Sequence, residues 1–219
     1  MSPRDISKVI RILKEESLRF KTPYVTEVSA GERKDPFLIL VSCLISLRTK
    51  DGVTREASKR LFSMAPTPQR LSSLKEREIE KAIYPAGFYR VKARQLKAMA
   101  RELISRYRGG VPDSIDELTT LKGVGRKTAN LVVTMGFNKP GICVDTHVHR
   151  ITNRWGYVKT NTPRLTESAL REKLPKRYWI PFNDLLVTYG QNICTPVSPF
   201  CSRCRIYKYC ERAGVKSRR

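Results

Sequence analysis

The chain has 219 residues and sets 43 Lys plus Arg against 20 Asp plus Glu, a formal charge of +23. Hydrophobic residues make up 40% of it, enough for a packed core and too many for a disordered polycation. The longest apolar run, residues 37–47, is broken by Ser42 and Ser46 and falls short of the ~20 residues a bilayer span needs, so no membrane helix or membrane partner is expected. The start, Met1-Ser2-Pro3-Arg4-Asp5, leads into charged amphipathic residues rather than an apolar signal core. The expectation is an intracellular protein, cytoplasmic or nucleoid-associated if prokaryotic. Surface ion-pair networks need both signs of charge, so a two-to-one excess of one sign points to a polyanionic partner, most commonly nucleic acid.

Helical periodicity runs through nearly the whole chain and no alternating strand pattern of useful length occurs, which makes the fold class all-α. Ile6, Val9, Ile10, Leu13 and Phe20 share one face of a first helix. Thr22 to Asp35 holds Pro, Gly and polar residues and reads as a linker. Pro36 then opens an apolar helix to Leu47, buried on all sides, with proline in its first turn. Further helices are expected from Asp51 to Met64, Lys75 to Ile83, Tyr89 to Tyr107 and Ser114 to Leu121. Ser114-Ile115-Asp116-Glu117 has the form of a capping box. Helices follow over Arg126 to Gly136, Thr146 to Trp155, Pro163 to Leu174 and Tyr178 to Gly190. On the Tyr89–Tyr107 helix, Arg90, Arg94, Lys97 and Arg101 lie within ~60° of one another and read as a solvated face.

Three segments carry candidate chemistry. In Leu118-Thr-Thr-Leu-Lys-Gly-Val-Gly-Arg-Lys-Thr-Ala-Asn130, one helix runs into Gly123-Val124-Gly125 and a second begins at once. Glycines on either side of Val124 allow a tight turn with bared N–H groups, and the next helix adds its positive end, so a phosphate fits there. The pattern is a helix-hairpin-helix, a sequence-independent grip on DNA backbone through Lys122, Gly123, Val124, Gly125 and Arg126. Lys127 sits in the first turn of the second helix, where the helix dipole and Arg126 both disfavour an ammonium. It is a plain phosphate ligand or an amine nucleophile suited to Schiff-base chemistry.

The second segment, Ile142-Cys-Val-Asp-Thr-His-Val-His-Arg150, places Asp145 to N-cap a helix. The same carboxylate could stabilise developing positive charge or move protons. The third holds Cys194, Cys201, Cys204 and Cys210, spaced C-x6-C-x2-C-x5-C. A disulfide knot does not suit a reducing compartment. Zinc usually takes two separated C-x2-C pairs; one pair with two single outriders fits all-thiolate ligation of an iron–sulfur cluster better. Cys43 and Cys143 read as small buried hydrophobes. Basic residues after Cys201, Arg203 and Arg205 among them, are candidates for phosphate contact.

These three elements, in this order and spacing, closely resemble the endonuclease III family over about Pro36 to Cys210. The resemblance implies a two-lobed helix-hairpin-helix DNA glycosylase fold. A six-helix barrel over residues 28–138 would end in the hairpin, and residues 1–27 and 139–219 would form a lobe holding a [4Fe-4S] cluster on the four cysteines. It implies a bifunctional glycosylase and abasic-site lyase of base excision repair, with Lys127 as the catalytic lysine and Asp145 as the catalytic aspartate. The expected partner is double-stranded DNA with oxidised pyrimidines or abasic sites, engaged by a monomer. Arg48 departs from the glutamine that commonly fills the gap left by the flipped base, so the partner-strand preference is expected to differ. The loop from Thr195 to Phe200, often basic in the family, carries two prolines and no charge. Two alternatives stand beside this reading: a thymine or uracil mismatch glycosylase, which Arg48 keeps open, and a non-catalytic iron–sulfur DNA-binding protein.

Overall fold

Helices without a single β-strand make up the regular structure among the described residues, 5–30 and 34–219, of the computed structural model. In chain order they are α1 (Ile6–Ser17), α2 (Tyr24–Ala30), α3 (Pro36–Ser46), α4 (Asp51–Met64), α5 (Pro68–Ser73), α6 (Glu76–Ile83), α7 (Tyr89–Tyr107), α8 (Ile115–Thr120), α9 (Arg126–Phe137), α10 (Thr146–Arg154), α11 (Pro163–Lys173) and α12 (Trp179–Asn192). The all-α expectation holds. None of these helices is long and apolar enough to cross a membrane. They pack as two units: Pro23–Lys139, and the described part of Met1–Thr22 together with Pro140–Arg219.

In the first unit α3 is the central element. Asp35 caps it by accepting a hydrogen bond from the Phe37 N–H at 2.8 Å, and Pro36 supplies the first turn with its φ already set. Its residues Phe37 and Ile39 to Ile45 are all buried, because a helix apolar on every side has no face to leave in water. It packs against α2, α4, α7 and α9. At Gly136 of α9 a Cβ would lie only 3.2 Å from the Pro36 side chain, so the two helices approach closely at that end.

The stretch read as a linker contains α2. Tyr24 is buried, its N–H donates to Asp51 at 2.9 Å, and the Arg55 guanidinium lies 5.0 Å from its ring. Arg55 also pairs with Glu27. One buried aromatic and an ion pair hold this seven-residue helix, which is too short to show a hydrophobic period. Residues 31–33 of that stretch lie outside the described ones. α5 was also missed for its shortness; Thr67 caps it by accepting from the Arg70 N–H at 3.3 Å. Ser114 does stand at the N-cap of α8, yet its side chain makes no capping bond. Half of a capping box occurs instead at α6, where Glu78 reaches back to the Lys75 N–H at 2.6 Å.

The second unit buries Ile6, Val9, Ile10 and Leu13 of α1 against α12. Phe20 falls beyond the end of α1 and packs on this core only partly buried. Trp155 and Phe182 meet edge to face at 6.5 Å, an arrangement aromatic rings favour. Glu16, buried at the end of α1, is neutralised by Arg19 and Arg205, each at 3.3 Å.

Because Leu40 is completely buried at the centre of the first unit, Leu40→Ala should cost about 2–5 kcal/mol of stability. Urea unfolding followed by circular dichroism measures the loss.

Candidate active site

The G-V-G turn has the geometry its glycines allow. Gly123 adopts φ +83°, and a Cβ there would crowd the Gln95 side chain at 3.1 Å. Val124 plugs into the core, its N–H donating to the Leu121 carbonyl at 3.1 Å. Gly125 is the N-cap of α9 and has no side chain to cap the first-turn amides, the arrangement that suits a helix start to anions. Lys122, Arg126 and Lys127 are all exposed around this turn. Beneath it, Cys43 of α3 is fully sheltered. Burial pushes its thiol up to about 12, against a small opposing pull from the positive charge of Lys127.

Asp145 caps α10 as expected. One oxygen, Oδ1, accepts from the His147 and Val148 N–H groups, both at 2.9 Å, and the residue is only 8% exposed. Further along α10, Arg150 donates to the Gly190 and Cys194 carbonyls at 3.3 and 2.8 Å and meets His147 Nδ1 at 3.1 Å. A Cβ on Gly190 would fall 2.4 Å from that same ring nitrogen, so only glycine lets α12 come this near α10.

The four clustered cysteines are unpaired thiols around one small cavity, lined also by Arg154, Tyr189, Ile206 and Arg212. Donors aim at the sulfurs. The Tyr189 hydroxyl lies 3.2 Å from Cys204, Arg154 lies 3.4 Å from Cys194, and the Arg212 N–H lies 3.3 Å from Cys210. Burial pushes the Cys210 thiol up to about 11 and raises that of Cys204, and the neighbouring cysteines add like-charge repulsion. Four thiolates here need a cationic centre to ionise together. Among the described residues, no three His, Cys, Asp or Glu side chains converge on a point fit for a single metal ion. The charge-free loop 195–200 is pinned by Arg154, which donates to the Thr195 and Pro196 carbonyls at 2.7 and 2.6 Å.

The two basic residues singled out after Cys201 are both exposed but differently engaged. Arg205 pairs with Glu15 at 2.9 Å and Glu16 at 3.3 Å, tying α1 to the cysteine segment. Arg203 leans on the Phe200 ring at 5.5 Å.

Arg48 lies in the turn after α3 with φ 52°, and Phe88, at the start of α7, has φ 58°. Left-handed backbone at a non-glycine residue costs about 1–3 kcal/mol and gathers at functional sites. The Arg48 guanidinium sits 5.4 Å from the Phe88 ring, which is 60% exposed. Lys92, Thr49 and Gly87 complete this corner and went unnoticed in the sequence. Lys92 is buried, its ammonium donating to the Ile45 and Leu47 carbonyls, both at 2.6 Å, and to Thr49 Oγ1 at 2.8 Å. The available signal was its register: 92, 96, 99 and 103 follow core spacing along α7, and a lysine at a core position must have partners.

The family model for HhH-GPD superfamily base excision DNA repair proteins matches residues 41–176. The endonuclease III of Thermotoga maritima is 48% identical over 177 residues, covering 81% of this chain and 83% of its own. The chain belongs to the endonuclease III family. Membership makes it a base excision repair enzyme, a DNA glycosylase and abasic-site lyase. Among solved structures, a trapped endonuclease III–DNA covalent intermediate is similar with a TM-score of 0.85 at 30% identity, covering 97% of both chains. A thermostable thymine-DNA glycosylase is similar at a TM-score of 0.75 and 27% identity, over 86% of this chain and 92% of its own.

The cap geometry gives a stability test that any endonuclease III chemistry leaves untouched. Asp145→Ala should cost about 0.5–2 kcal/mol, the usual worth of an N-cap, while Asp145→Asn keeps an acceptor oxygen and most of that stability. Urea midpoints of the two variants measure the difference.

Proposed function

We propose that this enzyme removes oxidised pyrimidines from duplex DNA through a Schiff base on Lys127 and then cuts 3′ to the abasic site by β-elimination. The observation that carries the reading is an exposed lysine in the first turn of α9, directly after a glycine turn built to hold a phosphate. The turn grips the backbone through Gly123, Val124 and Gly125, with Lys122 and Arg126 adding charge. The damaged nucleotide leaves the stack, and the Lys127 amine attacks its C1′. The base departs, the imine forms, and loss of the C2′ proton expels the 3′ phosphate. Asp145, held by two backbone N–H groups, balances positive charge on the sugar and assists proton transfer. Arg48 occupies the position where the family commonly has glutamine, and it fills the vacated space and donates to the base opposite the lesion. Arg203 contacts phosphate; Arg205, already paired with two glutamates, contributes less to that contact.

Cys194, Cys201, Cys204 and Cys210 fit a [4Fe-4S] cluster. They are four free thiols around one cavity, with N–H and O–H donors on three of the sulfurs and no acidic ligand lining it. When bound, such a cluster supplies a cationic core that cross-links the Cys194–Cys210 segment. Arg154 and Tyr189 hold the sulfurs in place. Anaerobically purified protein should contain about four irons and four sulfides per chain and absorb in the visible. Stoichiometric zinc without visible absorption would overturn that assignment.

Lys127→Gln should keep duplex binding and lose both strand cleavage and borohydride trapping, since an imine requires an amine. Asp145→Asn should slow base removal by about 10²–10⁴ yet still trap on a pre-formed abasic site, where no base has to be expelled. A borohydride adduct on the Lys127→Gln protein would assign the nucleophile to another amine.

A further inference from the structure

Two turns of the 23–139 unit are locked together by contacts that the reaction itself does not use. A Cβ on Gly87 would lie 2.4 Å from the Arg48 carbonyl oxygen, so the two chain segments touch backbone to backbone. Beside that contact Thr49 Oγ1 is saturated: it donates to the Leu47 carbonyl at 3.2 Å and accepts from the Gly87 N–H at 3.1 Å and from Lys92 at 2.8 Å. Lys92 stands one turn into α7 from Phe88, its own N–H bonded to the Phe88 carbonyl at 3.0 Å. One residue therefore joins the last carbonyls of α3, the Arg48 turn and the start of α7.

We infer that Lys92, acting with Thr49, is a positioning residue for opposite-base specificity: it fixes the strained turn that presents Arg48 over Phe88. The inference rests on the reading of Arg48 as the residue that meets the partner base. A flexible arginine discriminates poorly, because hydrogen-bond readout of a base edge requires the donor fork to arrive in one orientation. The backbone of Arg48 is held at φ 52° with its carbonyl against Gly87, which sets the direction in which the side chain leaves the turn, and its guanidinium lies by the Phe88 ring. The three acceptors around Lys92 are matched by the three N–H donors of an ammonium. Burial alone lowers Lys92 to about 8, a cost that these bonds offset.

A bland role is open to the same lysine, that of neutralising the C-terminal carbonyls of α3. A double-mutant cycle separates the two. Single-turnover cleavage by the cluster-loaded enzyme is measured on four thymine-glycol duplexes that differ only in the opposite base. Arg48→Ala should flatten the ratio of best to worst partner by about tenfold. Lys92→Met and Thr49→Val should flatten it similarly, and Lys92→Met should add nothing in the Arg48→Ala background. Thr49→Ser, which keeps the hydroxyl, should retain the wild-type ratio. Equal slowing on all four duplexes by Lys92→Met, with the ratio intact and the losses additive, would leave only the α3 role. If Lys92→Met does not fold, the Thr49 pair decides in the same terms. A ratio lost in Arg48→Ala but kept in Lys92→Met and Thr49→Val overturns the positioning alone. A ratio unchanged in Arg48→Ala overturns the opposite-base reading and the positioning with it.

Discussion

Helix α3 has almost no polar surface to leave in water, so its neighbours must enclose it. Enclosure brings α9 close enough that a Cβ on Gly136 would crowd Pro36, and it fixes where the hairpin ahead of α9 points. The same burial creates a problem at the other end, where the last carbonyls of α3 have no further helical turn to satisfy them and that of Ile45 is buried away from water. Lys92 answers it from within the core. The two ends of one apolar helix thus govern both the phosphate turn and the Arg48 corner.

Helix starts are used in two ways. At α9 the cap is a glycine with no side chain to offer. At α10 the cap is Asp145, whose Oδ1 takes two N–H groups for itself. The first start brings no side-chain acceptor of its own and the second does. This difference follows from a single residue type at each N-cap.

Much of this was legible in the chain. The long helices were, because eleven or more residues give the 3.6-residue period room to show; α4 and α7 begin and end at the expected residues. α2 and α5 were not: six or seven residues offer less than two turns, and α8, equally short, was legible only through its Ser114-Ile115-Asp116-Glu117 start. The hairpin, Asp145 and the four cysteines were visible as spacing and residue type. The Arg48 corner was visible only in part. Arg48 stood out as a departure from a pattern, but Lys92 reaches it across more than forty residues of sequence, and no local rule joins a lysine to carbonyls that far away. Arg205 shows the reverse limit: counted among loose positive charges, it is occupied by Glu15 and Glu16, nearly two hundred positions distant.

The guanidinium of Arg150 has a further bearing on how the second unit ages. It bridges the helix that starts at Asp145 to the carbonyl of Cys194, and Gly190 leaves no slack beside it. Oxidative damage to the cysteine segment would therefore not stay local. As that segment relaxes, Arg150 loses the shorter of its two carbonyl bonds and the α10 end of the bridge loosens, while the 23–139 unit keeps its own core. The consequence of wear would fall on the start of α10, because the Asp145 cap and the Arg150 bridge belong to one helix.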